Sequence, residues 1–190
     1  GGGADSLFGQ GCVQDAVFGG AGNDSLVGGA GDERLDGGAD NDTLRGNGGD
    51  DRLLGQAGID VLVAGLGEDT VDGGIGADWV YGGAGDDVLG GAADNDRLIG
   101  GAGNDVMNGG LGADIFVFSQ GHGNDRIVSF ADNIDKLDLR GFDIASLAAL
   151  KAHASDSSLG VRIDLRSFDG GTITLTGMTL AGLTVQDFYF

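Results

Sequence analysis

An acidic residue stands at every ninth position from Asp15 to Asp114, and that period dictates what the chain can fold into. The series is Asp5, Asp15, Asp24, Glu33, Asp42, Asp51, Asp60, Asp69, Asp78, Asp87, Asp96, Asp105 and Asp114, with one extra residue, Gly9, between the first two. Two positions after each acid comes an apolar side chain: Leu7, Val17, Leu26, Leu35, Leu44, Leu53, Leu62, Val71, Val80, Leu89, Leu98, Met107 and Phe116. A flexible acidic linker has no reason to keep an apolar ladder in phase with its charges.

The unit reads Gly-Gly-x-Gly-x-Asp-x-apolar-x, cleanest at residues 19–27, 73–81, 82–90 and 100–108. Nine residues cannot close a core, so units must stack and share one. The glycine-rich six residues form a turn that needs glycine's backbone freedom. The last three alternate outward, inward, outward, as a short strand with one buried side chain does. Two units then make a coil of 18 residues, with odd and even units on opposite sheets and successive coils paired as parallel strands. Asp5, Asp24, Asp42, Asp60, Asp78, Asp96 and Asp114 line one edge, and Asp15, Glu33, Asp51, Asp69, Asp87 and Asp105 the other.

Coils about 4.8 Å apart bring like charges on one edge close together. A hard cation taking carboxylate and carbonyl oxygens neutralises them, and calcium tolerates irregular ligand geometry better than magnesium. Candidate ligands are Asp5, Asp24, Glu33, Asp42, Asp51, Asp60, Asp69, Asp78, Asp87, Asp96, Asp105 and Asp114. To these we add the turn glycines, whose carbonyls no side chain obstructs: Gly20, Gly22, Gly29, Gly31, Gly38, Gly65, Gly67, Gly74, Gly76, Gly83, Gly85, Gly101, Gly103, Gly110 and Gly112.

These nonapeptides resemble the RTX (repeats-in-toxin) family over residues 1–117. The resemblance implies an all-β fold, a right-handed parallel β-roll or β-solenoid, with calcium between each turn and the turn one coil on. Seven turns on one edge and six on the other then admit at most about eleven Ca2+. Some units depart from the pattern. Residues 10–18 keep only Gly11 of three glycines, which weakens a site at Asp15, and the longer Glu33 shifts or loses its ion. Asp40 and Asp94 replace the third glycine, where they either add ligands or spoil the turn.

Formal charge is −20, with 21 acidic and 4 basic residues up to Phe118 and 9 and 6 beyond it. Such repulsion opposes compaction until cations bind, so folding and ion binding become one equilibrium. It also disfavours nucleic acid and anionic membranes as partners. No apolar run is long enough to span a membrane, and no amino-terminal leader is visible. Residue 1 already lies inside a repeat, as in a piece of something longer. The single Cys12 reads as a free thiol, and the absence of proline suits a ladder that needs its amides.

The period stops after Phe118, and residues 118–190 read as a mostly β cap that covers the open end of the solenoid. Strand-like alternation runs over 125–130, 136–139, 161–165 and 172–176, and residues 146–154 read as a short helix with Leu147, Leu150 and Ile144 inward. Asp125, Asp132, Asp135 and Asp138 form either one more ion site or a solvated loop. The stretches 112–118, 135–139 and 173–190 resemble the end of secreted RTX proteins. That resemblance implies an uncleaved signal read by a type I secretion apparatus and a secreted or cell-surface location in a Gram-negative bacterium.

The outward ninth positions of the odd units, Phe8, Val27, Arg45, Val63, Tyr81, Ile99 and Val117, form an apolar stripe that Val61 and Trp79 broaden. We expect it to be covered by the tail, by an upstream domain or by a second copy. The chain has neither a Gly-x-Ser-x-Gly elbow nor a His-Glu-x-x-His helix. His122 reads as a loop residue, and the only other histidine is His153. Catalysis is therefore expected upstream, as in a secreted protease, lipase or polysaccharide epimerase; a calcium-stiffened adhesin or surface-layer module is the other possibility.

Overall fold

The computed structural model describes residues 2–8, 16–168 and 170–190, so the expectations for Gly11, Cys12 and Asp15 lie outside the described residues. Odd units form β1 (Ser6–Phe8), β3 (Ser25–Val27), β5 (Thr43–Gly48), β7 (Val61–Leu66), β9 (Trp79–Ala84), β11 (Arg97–Ala102) and β13 (Ile115–Val117). Even units form β2 (Ala16–Ala21), β4 (Arg34–Ala39), β6 (Arg52–Ala57), β8 (Thr70–Ile75), β10 (Val88–Ala93) and β12 (Val106–Leu111). The odd strands make one sheet and the even strands another, all parallel, and each sheet adds one strand per coil. This is the parallel β-solenoid that the period demands.

The eighth position of every unit points inward. Leu26, Leu44, Leu62, Val80, Leu98 and Phe116 stack in register on the odd sheet and are each 0 % exposed. Leu35, Leu53, Val71, Leu89 and Met107 face them from the even sheet. Burying one such side chain stabilises by about 1.5–3 kcal/mol, so each unit contributes a small, repeated share of the core.

Most strands are six residues long rather than three. Pairing lapses at the first glycine of the next unit and resumes at its second and third positions, as in Gly38↔Gln56 and Ala39↔Ala57 around Gly37 and Gly55. The turn is therefore itself laddered. Among the described residues, outside the turn at 28–33, its second and fourth positions take positive φ even where glycine is missing, with Asp40 at 74° and Asp94 at 76°. These two acids keep the turn instead of spoiling it.

Past Phe118 the count of nine fails, yet both sheets continue. β14 (Asn124–Ile127) pairs in parallel with β12, and β15 (Lys136–Asp138) with β13. Ile127 and Leu137 take the inward apolar place at 0 % exposure. The helix α1 spans only Leu147–Lys151, capped by the Ser146 hydroxyl and burying Leu150. It stops short because β16 (Ala154–Asp156) pairs antiparallel with β17 (Gly160–Asp164), which pairs antiparallel with β18 (Thr172–Thr176). β18 lies parallel to β14, and β19 (Phe188–Tyr189) lies parallel to β15. The chain end thus extends the stack and does not lie across the apolar stripe. Trp79 remains 46 % exposed and stacks on Tyr81 with ring centroids 6.3 Å apart.

Replacing Leu62 with Ala should cost about 2–5 kcal/mol, because a rigid stack cannot collapse onto the void. The denaturant midpoint with calcium in excess measures it; a cost below about 1 kcal/mol would mean that the coil relaxes.

Candidate metal centre

Each repeat aspartate is pinned by two structural facts. It follows a turn whose first glycine has no side chain, and it precedes a strand whose neighbours one coil away are fixed by the ladder. Its carboxylate therefore points along the stack. Asp42 Oδ1 accepts the Asp24 amide at 2.7 Å, Asp60 Oδ1 that of Asp42 at 2.7 Å, and Asp78 Oδ1 that of Asp60 at 2.8 Å. On the other edge Asp51 Oδ1 accepts from Glu33, Asp69 from Asp51, and Asp87 from Asp69.

The second oxygen has nothing. Among the described residues, Oδ2 of Asp24, Asp42, Asp51, Asp60, Asp69, Asp78, Asp87, Asp96, Asp105 and Asp114 is buried without a hydrogen-bond partner. Leaving a charged acceptor in this state is costly, and ten identical orphans indicate a missing partner of one kind. The space beside nine of the ten is kept open by glycine, while Ala64 takes that place beside Asp69. A Cβ built on Gly73 would fall 2.5 Å from Asp78 Oδ2 and 3.0 Å from the carbonyl oxygen of Gly91, the same position one coil on. Gly19, Gly46, Gly55 and Gly82 show the same pairing of an orphan carboxylate with a carbonyl of the following coil.

An oxygen-lined gap between coils, with one carboxylate and backbone carbonyls, suits a hard divalent cation with flexible coordination. Among the described residues no three acidic, histidine or cysteine side chains converge on one point. Any ion must therefore draw most of its ligands from the backbone. The carbonyls of the second and fourth glycines lie against the equivalent glycine one coil further on, as Gly65 does against Gly83 and Gly67 against Gly85. The first-glycine carbonyl, absent from the sequence-based candidates, is the one beside the orphan oxygen.

Two expected places differ. Glu33 uses its extra methylene to fold back, and its Oε2 accepts the Gly29 amide at 2.8 Å, so it is not orphaned. Asp40 is exposed and accepts the Gly22 amide at 3.1 Å, which adds a hydrogen bond to the turn. The four tail acids do not form one site. Asp125 lies on the even sheet and Asp135 beside the odd one, while Asp138 is bound by Arg140 and Arg97, and Asp132 is exposed. A second ladder at the fifth position runs the opposite way. Asn41 Oδ1 accepts the Ile59 amide at 2.7 Å, and Asp50 Oδ1 that of Glu68 at 2.8 Å.

The architecture is a parallel β-solenoid whose turns are built around hard cations. The chain belongs to the RTX calcium-binding nonapeptide repeat family, whose profile matches residues 14–44, 27–62, 45–80, 54–89, 63–98, 81–116 and 90–127. Repeats of this family bind Ca2+, which agrees with the orphaned carboxylates. The comparison with curated proteins found no match. Among solved structures, the chain is similar to the extracellular lipase LipA of Serratia marcescens, at 19 % identity and a TM-score of 0.44 over 87 % of this chain. It spans 40 % of the length of that lipase chain. It is also similar to the AlgE6R3 subunit of the Azotobacter vinelandii mannuronan C5-epimerase, at 22 % identity and a TM-score of 0.39, over 95 % of this chain and 81 % of that one.

Without an ion, burial shifts several of these carboxyls towards the protonated form. Burial, opposed by the ladder amide and assisted by neighbouring carboxylates, pushes Asp51, Asp78, Asp87 and Asp96 up to about 7 and Asp60 and Asp105 to about 6. In the unfolded chain they titrate near 3.8. A raised folded-state value gives stability that is complete below the unfolded value and is lost as pH rises through the folded one. Far-ultraviolet circular dichroism in chelator should therefore show more β structure at about pH 5 than at about pH 8. Equal spectra would mean that the orphan oxygens do not govern the ion-free fold.

Proposed function

We propose that this chain is the calcium-folded part of a larger extracellular protein, with the β-roll at residues 1–117 and a capping, export-signal region at 118–190. The observation that carries the reading is the two rows of buried, unpartnered carboxylate oxygens, ten among the described residues, matched in sign by a formal charge of −20. Ten divalent ions would bring that charge to zero. The proposed ligands are the repeat acids from Asp5 to Asp114 within the described residues, together with the carbonyls of their turn glycines.

Ion binding to the folded state alone stabilises it by mass action. Extracellular calcium modules have Kd values of about 0.1–1 mM, so on this reading the chain stays open in a low-calcium cytosol and closes outside. An unfolded acidic chain threads through a type I secretion apparatus, and closure on the far side opposes its return. The Phe188–Phe190 end, with Phe190 39 % exposed, is the segment proposed for recognition by that apparatus. On this reading the chain supplies no chemistry of its own; any catalytic activity belongs to another part of the parent protein. Among the described residues no helix is long and apolar enough to cross a membrane.

A calcium titration from chelator, followed by circular dichroism with magnesium as control, tests the reading. A cooperative gain of β signal at submillimolar to millimolar calcium, absent with magnesium, is expected. A spectrum already β-rich in chelator at neutral pH would overturn it.

The open odd face supports a contact role towards an upstream domain or a second copy, with Trp79 46 % exposed and Arg97 lying over its ring. Replacing Trp79 and Tyr81 with Ser should lower any self-association seen by sedimentation in calcium, and unchanged association would remove the face from consideration.

A further inference from the structure

The ion rows must end somewhere, and an ordinary repeat at the end would leave one more buried carboxylate orphaned. Two carboxylates beyond Phe118 occupy the ladder place. Asp125 Oδ1 accepts the Asp105 amide at 2.9 Å across 20 residues, and Asp135 Oδ1 accepts the Asp114 amide at 3.0 Å across 21. Both are buried, at 2 % and 1 % exposure. Up to this point they match the aspartates of the roll.

Their second oxygens do not. Asp125 Oδ2 lies 2.5 Å from His122 Nδ1, and Asp135 Oδ2 accepts the Ala131 amide at 2.8 Å. Neither oxygen is orphaned. His122 is 2 % exposed, and its Nε2 accepts the Gly171 amide at 3.2 Å. That bond leaves the ring proton on Nδ1, where it is donated to Asp125. Phe118 and Phe142 meet the imidazole edge-on, with centroids at 5.2 and 5.7 Å, and prevent it from swinging aside. One strand further along the even sheet the place opposite Asp125 is taken by Ile173, so no carboxylate follows.

We propose that His122 stands in for the metal ion at the end of the even row, and the Ala131 amide does so at the end of the odd row. Asp125 and Asp135 then carry the ladder hydrogen bond but hold no calcium. This rests on the reading that orphaned oxygens mark ion sites. Protein donors satisfy the last carboxylate of each row, and the turn next to the cap keeps its register without a cation.

Native mass spectrometry of the full calcium-loaded chain separates the cases. Asp87→Asn, in mid-roll, should lose one ion relative to the parent. Asp125→Asn keeps one acceptor oxygen, enough for the Asp105 amide although not for His122 as well, and should bind the parental number. Asp135→Asn makes the same test independently on the odd row and covers the case in which Asp125→Asn does not fold. Loss of an ion from either tail variant would overturn the proposal. If Asp87→Asn loses none, the orphaned-oxygen reading fails, and the proposal falls with it.

Discussion

Everything in this fold depends on a carboxylate that is half satisfied. One oxygen of each of the ten aspartates from Asp24 to Asp114 closes a hydrogen bond to the coil before it, while the other is buried and finds no donor. Each unit also buries one apolar side chain, a gain of about 1.5–3 kcal/mol. The effective penalty for a buried, unpaired charge is several kcal/mol. Within a unit the penalty therefore offsets the gain, and ordering nine residues costs more again. On the proposed reading, a bound cation reverses the sign of this unfavourable contribution. The glycine at the first position of most units serves the same end, since a Cβ built on Gly46, Gly73 or Gly82 would intrude on the gap in which the oxygens meet; Ala64 is the exception.

Where the fifth residue is Asn or Asp, the fifth and sixth positions clamp the turn from both sides. The sixth-position carboxylate reaches back one coil, and the fifth-position side chain supplies its acceptor to the coil ahead. The fifth-position row is not the same on the two edges. It reads Asn23, Asn41, Ile59, Ala77, Asn95 and Ala113 on one, and Asp32, Asp50, Glu68, Asp86 and Asn104 on the other. Either amide or carboxylate oxygen can accept the bond, and Ile59, Ala77 and Ala113 do without it, so the choice leaves the fold intact and sets the charge of the exposed rim. The even edge carries a second layer of negative charge that the odd edge lacks.

How much of this was legible in the sequence follows from what the sequence repeats. The period of nine fixed two units per coil, two sheets, two acidic edges and the inward ladder from Leu26 to Phe116, because each of those needs only the phase. The continuation beyond Phe118 was hidden by insertions that shift Asp125 and Asp135 to spacings of 20 and 21 residues. Residues 121–125 carry the turn pattern intact, with His122 in its third place, but out of step with the count. Asn133 conceals the other turn further, since it takes φ of 60° where glycine is expected. The first-glycine carbonyls are not legible in the sequence, because a backbone oxygen has no letter there; only the packing of one coil on the next shows which carbonyl meets the carboxylate.

The chain solves one electrostatic problem in two ways. In the roll, acids outnumber basic residues 21 to 4, and their buried oxygens are left for a cation. In the tail, protein groups do the work. Arg140, with Arg97, holds the Asp138 carboxyl below its ordinary range, Arg166 does the same for Asp164, and Asp187 accepts from the Thr184 and Asn133 amides. The cap therefore has no comparable reason to wait for ions, whereas the roll does. A stack that grows by identical coils needs an end that is stable without a further coil, and an end whose carboxylates are satisfied by arginine, imidazole and amide donors meets that need. The boundary between the two regimes coincides with the place where the nine-residue count breaks, because a unit that no longer holds an ion no longer needs the spacing that builds an ion site.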